Sequence, residues 1–190
     1  MTEKILILDF GSQYTQLIAR RLRELFVYCE IHPYNHVPEL TNDIKGIILS
    51  GSPCSVNETD APQVDLERLM AHGPLLGVCY GAQMLAKEFG GVVSRSDHRE
   101  YGRAMMQRSE DGNALLKGLS QESQVWMSHG DSVTTMPPAF KLMASTESCP
   151  IAGMADEERR FYAFQFHPEV THTIQGTAII ERFVHTICGC

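Results

Sequence analysis

Three short motifs in this sequence supply the residue types that an acyl-transfer reaction needs. Cys79 lies in a Gly-x-Cys-x-Gly motif, His167 and Glu169 flank a proline, and Gly51 follows a serine. A thiolate can attack an acyl carbon, and a histidine oriented by a carboxylate can move the proton. Backbone N–H groups can bind the oxyanion that forms. The sequence therefore predicts covalent catalysis by cysteine if the fold brings these motifs together.

The Cys79 motif has the pattern of a sharp turn from a strand into a helix. Residues 74–78 form a short apolar run, and the residues after Cys79 favour a helix that ends near Gly90 and Gly91. Small residues beside the turn let the nucleophile stand clear of the sheet, as in the nucleophile elbow that carries serine. A helix N-terminus also favours an anion, and hence the reactive thiolate. The alternative is a small buried cysteine between two packing glycines.

A candidate base and its carboxylate follow a strand-like apolar run at 161–166. In an extended segment, residues two apart point to the same side, so one loop can supply both His167 and Glu169. Two alternatives stay open. The loop could be an ordinary surface turn, or His129 could be the base, although Gly130 beside it suggests close approach of the backbone to a substrate.

Two backbone N–H groups are candidates for the oxyanion hole. Tyr80 follows the nucleophile directly, and Gly51 follows a strand-like run and has no side chain to block a substrate. Losing one such donor typically costs about 3 kcal/mol of transition-state stabilisation. The alternative for Gly51 is a plain turn glycine.

The elements that must position these residues alternate between strand and helix as far as Gly91. The hydrophobic pattern predicts strands at 4–9, 27–31, 46–50 and 74–78. It predicts helices from a cap at Ser12 to about Leu25, at 63–70 and after Cys79. This order is typical of a doubly wound α/β domain with a mostly parallel sheet, whose site lies at the carboxyl ends of the strands. Asp9, Gly51 and Cys79 all fall at such ends.

Beyond Gly91 the pattern changes to short strand-like runs separated by turns. We expect a more antiparallel half, with runs at 92–93, 101–106, 125–127, 141–144, 151–154 and 161–166. A final helix follows, with one apolar face formed by Ile179, Ile180, Phe183, Val184 and Ile187.

Composition favours a single globular domain over residues 1–190. The net charge of −7 and the absence of a basic run argue against nucleic acid or an anionic membrane as the main partner. No run approaches the ~18 apolar residues of a membrane span, and no signal peptide is evident. The six cysteines are scattered without a repeated Cys-x-x-Cys, so neither a disulfide framework nor a zinc site is predicted. We expect a reduced, cytoplasmic protein.

Taken together, the motifs resemble those of the class I glutamine amidotransferases. The matching segments are 77–83, 166–169 and Ser50–Gly51. Finer matches at 9–17, 126–131, 145–150 and 165–173 resemble the amidotransferase domains of GMP synthetases. The resemblance implies a flavodoxin-like α/β core. It departs at Ser52, where the family often has a second glycine.

The resemblance also implies roles for individual residues. Cys79 would attack the side-chain amide of glutamine, His167 would carry the proton to the leaving ammonia, and Glu169 would hold His167. Gly51 and Tyr80 would form the oxyanion hole. Glutamine would be held at its amino-acid end by one side chain and three backbone segments, namely Gln83, Ser128, Gly130 and Asp131.

The ammonia would pass to a synthetase domain or subunit that uses ATP and Mg²⁺ to convert XMP to GMP. No pyrophosphate-binding loop or Walker motif is found in residues 1–190, so we expect no cofactor and no metal in this domain. Two other functions stay open. One is a different hydrolase built on the same elbow, such as a cysteine peptidase or a γ-glutamyl hydrolase. The other is a non-catalytic docking module.

Overall fold

A nine-stranded sheet organises the chain in the computed structural model, which describes residues 2–110 and 113–190. Its strands are β1 (Lys4–Asp9), β2 (Cys29–Pro33), β3 (Ile44–Leu49), β4 (Leu75–Val78), β5 (Val92–Arg108), β6 (Glu122–Thr135), β7 (Lys141–Ser145), β8 (Gly153–Asp156) and β9 (Phe161–Phe164). The helices are α1 (Thr15–Glu24), α2 (Leu66–His72), α3 (Tyr80–Glu88) and α4 (Gly176–Glu181), which continues as a π-helical segment, Arg182–Ile187.

The first half of the sheet is parallel, in the order β2-β1-β3-β4-β9. Alternate residues of its strands enter two separate cores. Ile5 and Ile7 pack with α1 and α4 on one face, whereas Leu6 and Leu8 pack with α2 and α3 on the other. Helices therefore cover both faces, which is why these strands are apolar on both sides. The predicted doubly wound α/β core is confirmed.

The second half of the sheet is antiparallel, in the order β9-β8-β7-β5-β6. The predicted short runs at 92–93 and 101–106 are wrong as separate strands, because both belong to the 17-residue β5. The run at 125–127 is likewise only the middle of the 14-residue β6. Pairing between these two strands satisfies their backbone groups even where the side chains are polar, so the hydrophobic pattern underestimates their length.

The starts of two helices also differ from the prediction. Ser12 does not cap α1, which begins at Thr15 with Tyr14 at the N-cap position. The Ser12 hydroxyl instead accepts a hydrogen bond from the Tyr14 N–H at 3.0 Å. Helix α2 begins at Leu66 rather than at 63, because the Asp65 side chain caps it by accepting from the Arg68 N–H.

Strand β2 begins two residues later than predicted, because its register with β1 pairs Cys29 with Ile5. The predicted apolar face of the last helix is confirmed, since Ile179, Ile180, Phe183 and Val184 are buried. Within the described residues, no helix has the length and apolar character needed to cross a membrane.

Candidate active site

Cys79 lies at the turn between β4 and α3. It occupies the N-cap position of α3 with φ 53° and ψ −104°, a positive φ that a non-glycine residue rarely adopts. Such backbone strain is typical of functional sites, where the surrounding structure holds it in place. The structure therefore contains the strand, the turn and the helix that the elbow motif predicts around Cys79.

The two glycines of the motif are required by close backbone contacts. A Cβ atom on Gly77 would lie 2.6 Å from the carbonyl carbon of Gly81. A Cβ atom on Gly81 would lie 2.5 Å from the backbone oxygen of Leu49 in β3. Only glycine lets α3 start this close to the sheet, and this approach fixes the position of Cys79.

His167 and Glu169 form a buried pair beside Cys79. Nδ1 of His167 lies 2.6 Å from Oε1 of Glu169, and the two side chains are 4% and 1% exposed. His167 and Cys79 line the same cavity, and the interaction between their side chains is one of the causes that raise the pKa of His167. Since Nδ1 is occupied by the carboxylate, Nε2 is the nitrogen that faces the thiol.

Electrostatics in this group favour a protonated His167. Burial lowers the pKa of His167, but the charge of Glu169 and the interaction with Cys79 outweigh it and raise the pKa well above its usual value. A protonated imidazole beside a cysteine is the partner that a thiolate needs.

His129, the alternative base, is occupied elsewhere. Its Nδ1 lies 2.8 Å from the Asp131 carbonyl oxygen, and its Nε2 lies 2.9 Å from Oε2 of Glu100. Both ring nitrogens are therefore engaged within the pocket wall. The geometry favours His167 as the base, and places His129 in support of the part of β6 that contains Asp131.

The two candidate oxyanion donors lie next to the nucleophile and the base. Tyr80 is the first residue of α3, and a Cβ atom on Gly51 would lie 3.3 Å from Cε1 of His167. Across residues 2–110 and 113–190, no acceptor is recorded for the N–H of either Gly51 or Tyr80. Both groups are thus free to bind an oxyanion, and this role stays a prediction.

A cavity of about 750 Å³ opens above Cys79. Its walls include all four predicted substrate-binding residues, Gln83, Ser128, Gly130 and Asp131. The Asp131 carbonyl already accepts from Gln83 Nε2 at 2.9 Å and from His129, so it has little capacity left for a ligand. The backbone oxygen of Ser128 lies 3.5 Å from Sγ of Cys79.

Several residues that support the site were not singled out from the sequence. Gln165 places Nε2 3.5 Å from Sγ of Cys79 and accepts from Gln83 through Oε1. The Tyr14 ring meets the His167 ring edge-on at 5.0 Å. Both residues belong to segments that carry the family resemblance, but neither has a spacing that predicts a contact with the triad.

Thr173 and Gly176 hold the turn that carries the base. The Thr173 hydroxyl donates to the His167 carbonyl at 2.6 Å and accepts the Trp126 N–H at 3.0 Å. A Cβ atom on Gly176 would lie 1.9 Å from the Pro168 oxygen, so α4 can start here only with glycine. These contacts depend on tertiary packing and have no local sequence signal.

One cluster among the described residues has the composition of a metal site. Potential ligand atoms of Glu100, His129 and Cys149 lie within 4.8 Å of one another. His129 already bonds directly to Glu100, and burial raises the pKa of the Cys149 thiol to about 12. The contacts thus describe a hydrogen-bonded His129–Glu100 pair with Cys149 buried beside it, and the Cys149 thiol donates instead to the Ile151 carbonyl oxygen.

A family profile described as glutamine amidotransferase class-I matches residues 6–187. The chain belongs to the class-I glutamine amidotransferase family. The elbow cysteine, the buried His167–Glu169 pair and the open cavity are therefore the candidate active site of a class-I glutamine amidotransferase.

Curated members of this family match the whole chain. The GMP synthase [glutamine-hydrolyzing] of Polynucleobacter asymbioticus is 58% identical and is covered over 39% of its length. The protein of the same name from Cytophaga hutchinsonii is 55% identical and is covered over 37%. The chain thus spans about two fifths of the length of these relatives.

Solved structures show the same amidotransferase fold. A putative GMP synthase subunit from Thermoplasma acidophilum superposes with a TM-score of 0.86 at 34% identity, over 99% of this chain and 94% of that one. A glutamine amidotransferase from Thermotoga maritima has a TM-score of 0.80 at 18% identity, over 100% of both chains. The second likeness shows the fold alone.

Proposed function

We propose that this chain hydrolyses the side-chain amide of glutamine through a thioester on Cys79. The proposal is supported above all by the placement of Cys79, at the elbow, and His167 on the wall of the same cavity, with Nδ1 of His167 2.6 Å from Oε1 of Glu169. The Cys79 thiolate attacks the amide carbon, and the N–H groups of Gly51 and Tyr80 stabilise the oxyanion. Protonated His167 then donates its proton to the departing nitrogen, and ammonia leaves.

The second half of the reaction releases glutamate. His167, now neutral, accepts a proton from water, and the resulting hydroxide attacks the γ-glutamyl thioester. The carbon–sulfur bond breaks, and the Cys79 thiolate returns beside the reprotonated imidazole. The charge of Glu169, which raises the pKa of His167, keeps this ion pair ready for the next cycle.

The charges that line the cavity suit a free amino acid. Arg95 and Arg99 are among its lining residues, and so are Glu58 and Asp131. An amino acid carries an α-carboxylate and an α-ammonium group, so a pocket with both charge signs fits it better than it fits an apolar acyl chain. Arg99→Ala is expected to raise the KM for glutamine more than it lowers kcat.

The ammonia acceptor is the second element of the proposal. The curated relatives are named GMP synthase [glutamine-hydrolyzing], and this chain spans about two fifths of their length. We infer that residues 1–190 form the amidotransferase domain, and that a synthetase domain or subunit uses the ammonia to convert XMP to GMP. ATP and Mg²⁺ would bind there, with no cofactor or metal needed in this domain. The proposal places the reaction in the cytoplasm.

The direct test is glutamate release from glutamine by this chain, with Cys79→Ala as the matched control. We expect turnover that the substitution abolishes, with an unchanged circular dichroism spectrum. If turnover requires the synthetase partner, labelling of Cys79 by a diazoketone analogue of glutamine tests the site without turnover. The proposal would be refuted if the parent protein neither hydrolysed glutamine nor reacted with the diazoketone, while iodoacetamide still modified Cys79. Release from γ-glutamyl peptides but not from glutamine would favour a γ-glutamyl hydrolase.

A further inference from the structure

The Glu169 carboxylate is held by few contacts for so central a group. Oε1 bonds to His167, while Oε2 is buried and has no hydrogen-bond partner among the described residues. A carboxylate with one anchored oxygen can rotate away from its partner. The position of the Glu169 backbone therefore helps to set the orientation of this carboxylate.

Arg21 of α1 provides that backbone contact. Its Nε donates to the Glu169 carbonyl oxygen at 3.0 Å, although the two residues are 148 positions apart. Its Nη2 lies 3.4 Å from the Thr171 hydroxyl, and its Nη1 lies 2.8 Å from Oε2 of Glu24. The planar fork of a guanidinium can hold three partners in fixed directions at once, which an ammonium group on a flexible chain cannot do.

The contact is built into the fold rather than formed at the surface. The Arg21 side chain is 17% exposed, whereas that of neighbouring Arg20 is 69% exposed. Both arginines pair with Glu24, but only Arg21 reaches the turn that carries the base. Arg20 is therefore a natural control for the charge and the Glu24 contact of Arg21.

Helix α1 contacts the base at a second point. Tyr14, seven residues before Arg21, meets the His167 ring edge-on. Residues seven apart lie on nearly the same side of a helix, so the N-cap of α1 and its second turn face the same segment, residues 166–173. The helix start is fixed in turn by Thr15, whose hydroxyl donates to Asp9 at 2.9 Å.

We propose that Arg21 is a positioning residue for the catalytic base. Its guanidinium fixes the backbone of Glu169, so that the carboxylate stays on Nδ1 of His167 and Nε2 stays aimed at Cys79. This inference rests on the proposed function, because it assigns a support to the same base. A misplacement of about 1 Å in such a group can lower the rate ~100-fold.

The test compares Arg21→Ala and Arg21→Lys with Arg20→Ala. One readout is the rate at which iodoacetamide modifies Cys79, followed by mass spectrometry between pH 5.5 and 9.5. The other is the kcat and KM for glutamine. We expect Arg21→Ala to lower kcat by about 10- to 100-fold, with KM changed less than about twofold. Modification at neutral pH should slow, and its pH midpoint should rise. Arg21→Lys should fall between Arg21→Ala and the parent, and Arg20→Ala should match the parent.

A double variant separates positioning from general stability. If Arg21 acts through His167, adding Arg21→Ala to His167→Ala should cause no further loss in the modification rate. An Arg21→Ala protein that melts earlier but keeps the parent's pH profile and kcat would overturn the inference. So would a loss that adds fully to that of His167→Ala. If His167→Ala alone leaves the rate of Cys79 modification unchanged, the assignment of His167 as the base is wrong. That result would refute the proposed function, and it is distinguishable from a failure of the Arg21 inference alone.

Discussion

The elbow that carries Cys79 and the turn that carries the base, residues 166–173, are held in place by different means. The elbow is fixed by backbone against backbone, with Gly77 and Gly81 allowing contacts that a Cβ atom would block. The base turn is fixed by side chains that reach it from distant elements, such as Arg21 from α1. A nucleophile can therefore be specified within a few consecutive residues, whereas its base depends on the completed fold.

This difference separates two kinds of failure. A change at the elbow should disturb folding, because the glycine contacts join β4, α3 and β3 in the centre of the sheet. A change at the base turn should disturb the sheet less and alter the reactivity of Cys79 more.

Glu169→Gln should cause the largest loss of activity with little loss of fold. The amide keeps the size of the side chain but removes the charge that raises the pKa of His167. We expect glutamate release to fall about 10²- to 10⁴-fold, the range typical of general acid–base catalysis. The rate of Cys79 modification at neutral pH should fall with it. Wild-type modification kinetics in this variant would contradict the role of the carboxylate.

Gly81→Ala should destabilise the elbow by about 3 kcal/mol, because the new methyl group overlaps backbone and side-chain atoms of Leu49. Gly130→Ala, on the cavity wall, is the matched control, since a Cβ atom there has no neighbour within 4 Å among the described residues. Urea unfolding followed by circular dichroism gives both free energies. Equal values for the two variants would mean that the elbow does not depend on the Gly81 contact.

Thr173→Val should cost about 1–3 kcal/mol, because it leaves the His167 carbonyl and the Trp126 N–H without their partner in a buried site. Thr173→Ser keeps the hydroxyl and should lose less than about 1 kcal/mol. Thermal unfolding and the Cys79 modification rate measure the two consequences. If serine and valine behave alike, the hydroxyl is not what holds the base turn.

The sequence predicted the parallel half of the fold because its strands carry a strong local signal. β1 and β4 are apolar runs that end before or at a polar or small residue. β1 has the predicted bounds, and β4 begins one residue later than the predicted run at 74–78. The Cys79 elbow was predictable for the same reason. Its two glycines, Gly77 and Gly81, are spaced as they are because each makes a close backbone contact that a Cβ atom would block.

The sequence did not predict the long β5–β6 pair, nor the supports of the base. Polar residues such as Arg95 and Glu100 interrupt the hydrophobic pattern of β5, although its pairing with β6 continues beyond both of them. The contact from Arg21 to Glu169 spans 148 positions, and nothing near either residue indicates the other. Such contacts are properties of packing, so local periodicity cannot report them.

The smallest expected effect is a pH dependence of stability that originates at the base. Because the folded-state pKa of His167 is raised, its protonation stabilises the fold fully below the unfolded-state pKa of about 6.5, and this contribution is lost as the pH rises through the folded-state pKa. The measured quantity is the difference in the free energy of unfolding between the parent and His167→Gln. This difference should decrease by on the order of 1 kcal/mol between pH 6 and pH 9. Urea titrations at several pH values measure this difference.

In a Cys79→Ala background the decrease should be smaller, because the interaction with Cys79 is one of the causes that raise the pKa of His167. An increase with pH would mean that burial dominates and that folded His167 is neutral, which would remove the ion pair on which the proposed mechanism depends.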